Sequence, residues 1–168
     1  MENFDNSGVR RQDRLLEEER AQELLATGEH GFLAMVEERD GVQAGYGVPL
    51  NFVWDGGKSI YFHGAPLGHK LVCLDFHPLV TFCIVGMTRV APNKFTTAYE
   101  SVLVRGAICR SLPDEEKRRA LELILDKYSP HDKEVGIKYA LKSMPRTEIL
   151  RLDITSISGK AKKVLFAD

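Results

Sequence analysis

The stretch from Gly31 to His63, GFLAMVEERDGVQAGYGVPLNFVWDGGKSIYFH, decides the fold class. Gly31 to Val36 is an apolar run, and Arg39-Asp40-Gly41 carries hairpin-turn chemistry. Val42 to Trp54 alternates loosely before a second turn at Asp55-Gly56-Gly57-Lys58, and Ser59 to His63 follows as a short strand. Together these signals predict a meander of three antiparallel strands.

Working outward, the spacing of Ala21, Leu24 and Leu25 and the closing Gly28 predict an amphipathic helix from about Leu15 to Thr27 with a glycine at C′. Residues 1–12 are polar without an apolar period and read as a flexible N-terminal arm. Downstream, Gly64 to Gly68 is a loop and His69 to Phe76 a short helix stopped by Pro78. Leu79 to Val85 and Thr97 to Arg110 return to strand character, separated by a polar loop with Pro92 and Asn93. A long helix starts at Pro113, with Asp114, Glu115 and Glu116 countering the dipole and Leu121, Ile124, Leu125 and Tyr128 on one face. A shorter helix over about Asp132 to Lys142 precedes a strand from Thr147 to Ile154. Strands that do not alternate regularly with helices exclude a parallel βαβ sheet. The expectation is a mainly β chain: a small antiparallel barrel with peripheral helices over residues 13–158. A basic tail, 159–168, follows, with Lys160, Lys162 and Lys163 solvated. The barrel must close, or cover its edges with a second copy of the chain.

Composition narrows the partners. The 168 residues suffice for a core without disulfides, and a net charge of -1 lacks the basic excess of a nucleic-acid binder. Cys73, Cys83 and Cys109 form no C-x-x-C pair and sit in apolar runs, so they read as reduced structural thiols. The N-terminus has no apolar h-region, and no run approaches the ~20 apolar residues of a membrane span. A cytoplasmic protein without a membrane partner is expected.

Chemistry concentrates at Ile60-Tyr61-Phe62-His63-Gly64-Ala65-Pro66-Leu67-Gly68-His69-Lys70. A strand, a glycine-containing loop and a helix opening with His69 and Lys70 make an anion-site pattern, in which backbone N–H groups, the helix dipole and Lys70 hold a phosphate. A plain connector with both side chains solvated is the alternative. A nucleotide-binding phosphate loop is excluded, because only three residues separate Gly64 from Gly68 and Leu71 follows the lysine. His63, His69, Cys73 and His77 complete no recognisable ligand spacing, so no metal is expected. Upstream, Pro49 interrupts Tyr46 to Phe52 and marks an edge strand or bulge, whose free backbone groups can meet a planar heterocycle.

Six motifs in register then resemble a known family: Arg10-Arg11-Gln12-Asp13-Arg14, Gly47 to Phe52, Tyr61 to Ala65, Gly68-His69-Lys70, His77 to Phe82, and Tyr99 to Gly106. From Arg10 to Leu152 the chain resembles the nitroimidazole-resistance proteins among the pyridoxamine 5′-phosphate oxidase-like flavin-binding split barrels. The resemblance implies a split β-barrel homodimer with FMN, or occasionally FAD, at two sites across the interface. It implies that Val48, Pro49, Leu50 and Asn51 line the flavin ring through backbone contacts, with Gly64 and Ala65 beside it, and that His69 and Lys70 hold the phosphate. It places His63 beside flavin and substrate as the catalytic candidate, and Tyr99 and Ser101 on a strand that approaches the flavin near the interface. The implied activity is reduction of nitro groups on small aromatic compounds; the alternative is a non-enzymatic flavin- or haem-binding protein. Vitamin B6 oxidation is not expected, because Arg146 to Leu152 contains no histidine to match the Arg-x-His pattern of true oxidases.

Overall fold

The computed structural model describes residues 1–166. Seven strands form one antiparallel sheet: β1 (His30–Arg39), β2 (Val42–Asn51), β3 (Val53–Trp54), β4 (Ser59–Gly64), β5 (Leu79–Ala91), β6 (Thr96–Cys109) and β7 (Glu148–Lys162). Helices α1 (Glu18–Thr27), α2 (His69–Phe76), α3 (Asp114–Tyr128) and α4 (Lys133–Ser143) lie at its periphery. The chain is thus mainly β, an antiparallel split barrel with peripheral helices, as expected.

The first correction concerns the opening meander. Asp40 and Gly41 do make the β1–β2 hairpin, both at positive φ (53° and 78°) as in a type I′ turn. The strand order, however, is β2-β1-β5-β6-β7-β4-β3, so the β3–β4 hairpin sits at the opposite edge from β2. Only Phe52 separates Asn51 of β2 from Val53 of β3. A sheet whose two edges are joined by one residue has to curl back on itself without the edge strands pairing. Phe52 is fully buried, and its ring meets Phe82 edge to face at 5.1 Å, while Phe62 meets Phe82 at 5.0 Å.

The end of α3 clamps this crossing. The Tyr128 hydroxyl accepts from the Phe52 N–H (3.0 Å) and is within donating distance of the Phe52 carbonyl (2.7 Å) and the Glu29 carbonyl (2.6 Å). Lys127 donates to the same Phe52 carbonyl at 3.0 Å and stands 3.8 Å over the Phe52 ring; burial pulls its pKa down to about 8.

Two apolar clusters follow from this curl. Leu33, Phe52, Ile60, Phe62, Phe82, Val102, Val104 and Leu152 fill the barrel interior, closed by α1 and α2. Val53, Tyr61 and Ile149 pack instead with Ala120, Leu121, Ile124 and Ala140 under α3 and α4.

Further corrections concern the ends. The segment 1–12 is not a free arm: Phe4 forms a parallel bridge with Ile157, Asn3 donates to the Ile154 carbonyl, and Asn6 accepts from the Gly159 N–H. The basic tail begins as strand, since β7 runs through Lys162, Lys160 stands over the Tyr99 ring and Lys162 donates to Thr96. The tail's last two residues lie outside the described residues. Gly28 does not adopt the left-handed C′ conformation (φ -58°); it is required by space, because a Cβ there would meet the Leu24 carbonyl at 2.7 Å. No described helix is long and apolar enough to cross a membrane.

Tyr128→Phe is expected to lower unfolding free energy by about 1–3 kcal/mol, the scale of leaving buried backbone groups unsatisfied. Urea denaturation checks this; an unchanged midpoint would mean that the hydroxyl does not hold the crossing.

Candidate functional site

β4 delivers His63 and Gly64 to the edge of the barrel, and the loop 65–68 turns the chain into α2. Gly68, at φ 141°, makes that turn in a conformation side chains disfavour, and no side chain caps the helix it starts. The pairing of β4 with β7 leaves the His63 side chain exposed beside the α3–α4 layer, with Ala65 also exposed.

Lys70 is half-buried in the first turn of α2, and a Cβ at Gly64 would sit 3.0 Å from its Nζ. Among the described residues Lys70 has neither a carboxylate partner nor a hydrogen bond, and burial holds its pKa below that of a free lysine. His63 is also pushed below the ordinary imidazole range, chiefly by desolvation from its dense surroundings and secondarily by the charge of Lys70. Its ring is therefore biased to the neutral form near pH 7.

The neighbouring His69 points elsewhere. Its Nε2 lies 2.7 Å from Oε2 of Glu37 on β1, and its ring meets Tyr46 of β2 edge-on at 4.7 Å. The two adjacent basic residues thus face different surroundings, and only Lys70 remains unpartnered. The carboxylate escaped sequence reading because it lies 32 residues upstream on another element.

β2 is an edge strand, as Pro49 indicated, paired only with β1. Val48 and Leu50 are half-buried and Pro49 and Asn51 exposed, with the Asn51 amide donating to the Glu29 carbonyl at 2.9 Å. Helix α2 packs on both β1 and β2, and β2 approaches β4, so this ledge, Lys70 and His63 lie on one side of the barrel.

Tyr99 and Ser101 do not join them. Tyr99 pairs with Lys162 and His63 with Ile149, thirteen residues apart along β7, or about 40 Å of extended strand. Tyr99 and Ser101 belong instead to the outer face of β6. There Leu103 aligns with Cys83 and Phe32 across β5 and β1, and Val85 stands opposite Ser101.

Sequence reading also missed a cleft of about 900 Å³ between the end of β4 and the helices α3 and α4. His63, Gly64 and Ala65 form one wall; Leu121, Leu125, Val135 and Tyr139 supply apolar surface, and Arg146 a cation. The exposed i, i+4 pair Val135 and Tyr139 on α4 was its available signal.

The sequence matches the family described as pyridoxamine 5′-phosphate oxidase over residues 17–161. No curated protein matches it. Among solved structures, a candidate 5-nitroimidazole antibiotic resistance protein from Bacteroides thetaiotaomicron is 19% identical, with a TM-score of 0.68 over 89% of this chain and 90% of its own. A flavocytochrome from Azotobacter vinelandii is 19% identical, TM-score 0.70, over 90% of this chain and 70% of its own. An FAD and haem binding protein from Mycobacterium smegmatis is 21% identical, TM-score 0.66, over 94% and 77%. These likenesses establish the shared fold.

The His63 imidazole is expected to titrate below 6.5, and to move upward in Lys70→Met as the neighbouring positive charge is lost. NMR titration of the ring reads both; a midpoint at or above 6.5 would overturn the assignment. Because the folded-state value is depressed, the unfolded chain binds more protons here. His63 therefore contributes stability that is lost as pH falls through the window below 6.5.

Proposed function

The chain belongs to the pyridoxamine 5′-phosphate oxidase family, and on that premise we propose that it is a homodimeric flavin-dependent oxidoreductase that reduces nitro groups on small aromatic compounds. FMN is the proposed cofactor, with FAD the alternative. The observation that carries the reading is Lys70: a half-buried ammonium without a counter-ion among the described residues, beside a glycine whose missing side chain leaves space at Nζ. A phosphate ester supplies that counter-ion, and the uncapped first turn of α2 adds backbone N–H donors. His69, engaged with Glu37, is left out of the phosphate set.

The edge ledge Val48 to Asn51 offers unpaired backbone groups to the heteroatoms of a flavin ring. When bound, the flavin supplies the electron chemistry, so neither a catalytic triad nor a carboxylate pair is required. His63 faces the cleft and is biased to its neutral form, so its part is to offer a hydrogen bond to a substrate oxygen. The apolar walls from Leu121 and Tyr139 suit an aromatic body.

The dimer is supported by the outer face of the sheet. Phe32 and Val85 are 48% and 60% exposed there, beside Cys83 and Leu103, and the same face carries Tyr99 and Ser101. Their separation from His63 along β7 leaves a second copy as the route by which they approach a site. Non-enzymatic binding of flavin or haem has one observation in its favour, an exposed histidine with no hydrogen-bond partner among the described residues, on a roomy cleft.

Purified protein is expected to be yellow and to release FMN or FAD on denaturation, identified by mass spectrometry. A Soret band would favour haem, and colourless protein whose melting temperature neither flavin shifts would overturn the reading. Lys70→Ala should weaken flavin binding about 10–100-fold, the scale of a charge-assisted hydrogen bond. Val85→Glu is expected to yield monomers by light scattering; a variant that stays dimeric would move the interface elsewhere.

A further inference from the structure

Outside the proposed flavin site, one cluster of ligating side chains among the described residues has no assigned role. His69 and Cys73 are four residues apart on α2 and share a face. That face lies against β1, where Glu37 projects from the strand, and one ligand atom from each of the three residues lies within 4.8 Å of the others. We propose that Glu37, His69 and Cys73 bind a zinc-class divalent cation.

The donor set is the mixed sulfur, nitrogen and oxygen set that zinc accepts, and its charges balance: carboxylate and thiolate offset a divalent ion beside a neutral imidazole. Tetrahedral zinc spaces such atoms roughly 3.3–3.6 Å apart, given bond lengths of about 2.0–2.3 Å. The 2.7 Å contact between His69 Nε2 and Glu37 Oε2 must open to admit the ion, by roughly 0.6–0.9 Å. Cys73 is 1% exposed and shielded from competing thiols, whereas the His69 side chain is 37% exposed and provides the way in. The Tyr46 ring holds His69 in orientation.

Among the described residues Arg39 is the one competing cation. Its Nη2 lies 3.1 Å from the same Glu37 oxygen, on a side chain 69% exposed and free to swing into solvent. Oε1 of Glu37 has no partner among the described residues and remains open to a metal. Three protein ligands leave a fourth position for water or substrate. Two of the four residues weighed from sequence as ligands, His69 and Cys73, belong to the site; His63 and His77 do not.

The site is independent of the flavin reading, because it uses neither Lys70 nor His63. Co²⁺ is the probe, titrated into metal-free protein and read as a difference spectrum against the same sample without metal. A single Co²⁺ per chain is expected, with the near-ultraviolet charge-transfer absorption of a cobalt–thiolate bond, reversed by Zn²⁺. Cys73→Ser should abolish that absorption, and Glu37→Gln should weaken Co²⁺ affinity at least about tenfold. No charge-transfer absorption, or its persistence in Cys73→Ser through Cys83 or Cys109, would overturn the site. Should Cys73→Ser fail to fold, unchanged Co²⁺ affinity in both Glu37→Gln and His69→Gln would overturn it equally.

Discussion

The architecture depends on one connection. Asn51 closes a strand at one edge of the sheet, Val53 opens a strand at the other, and the single residue between them has to span the gap. A flat sheet of seven strands, with neighbours about 4.8 Å apart, could not satisfy that constraint. Curling does, and it turns the apolar faces of β1, β4, β5 and β6 inward on the Phe52, Phe62 and Phe82 rings. The same curl brings the β2 edge, the end of β4 and the start of α2 to one side of the barrel. The candidate site is therefore a by-product of how the two edges are joined.

Within that site the local charges are set by pairing rather than by composition. Two adjacent basic side chains open α2, but Glu37 engages His69 and leaves Lys70, in a half-buried position, without a counter-ion among the described residues. Desolvation by the surrounding protein and the neighbouring lysine act in the same direction on His63 and bias its ring toward the neutral form. A positively charged anchor and an uncharged hydrogen-bonding group thus stand within a few residues of each other, a division of labour that a whole-chain charge of -1 does not reveal.

What could be read from the residues follows the range over which each determinant acts. The Asp40-Gly41 turn, the start of α2 and the negative first turn of α3 are local chemistry, and each element lies close to where its residues place it. The jump at Phe52 is invisible because Asn51-Phe52-Val53 contains neither glycine nor proline, so the run Val42 to Trp54 reads as one strand. Gly28 was identifiable as a helix terminator, but a glycine required by a neighbour's carbonyl looks the same in sequence as one required by φ. Glu37 could not be linked to His69, nor Tyr128 to Phe52, because a hydrogen bond across 32 or 76 residues leaves no periodicity. Of the candidate site, His63 with Gly64 and Lys70 beside the β2 ledge was legible from its strand–loop–helix pattern. The helical wall of the cleft was not, since α3 and α4 carry ordinary amphipathic patterns.

The docking of the first residues onto β7 has a consequence for how the chain is made. Asn3 and Asn6 bond to Ile154 and Gly159, groups that a ribosome adds 151 and 153 residues later. Asn3 and Asn6 must therefore stay solvated until β7 emerges, and the loop that their attachment closes is a long one, with partners 151 and 153 residues apart. The seam needs β7 in place, so its formation reports completion of the whole barrel rather than of any intermediate.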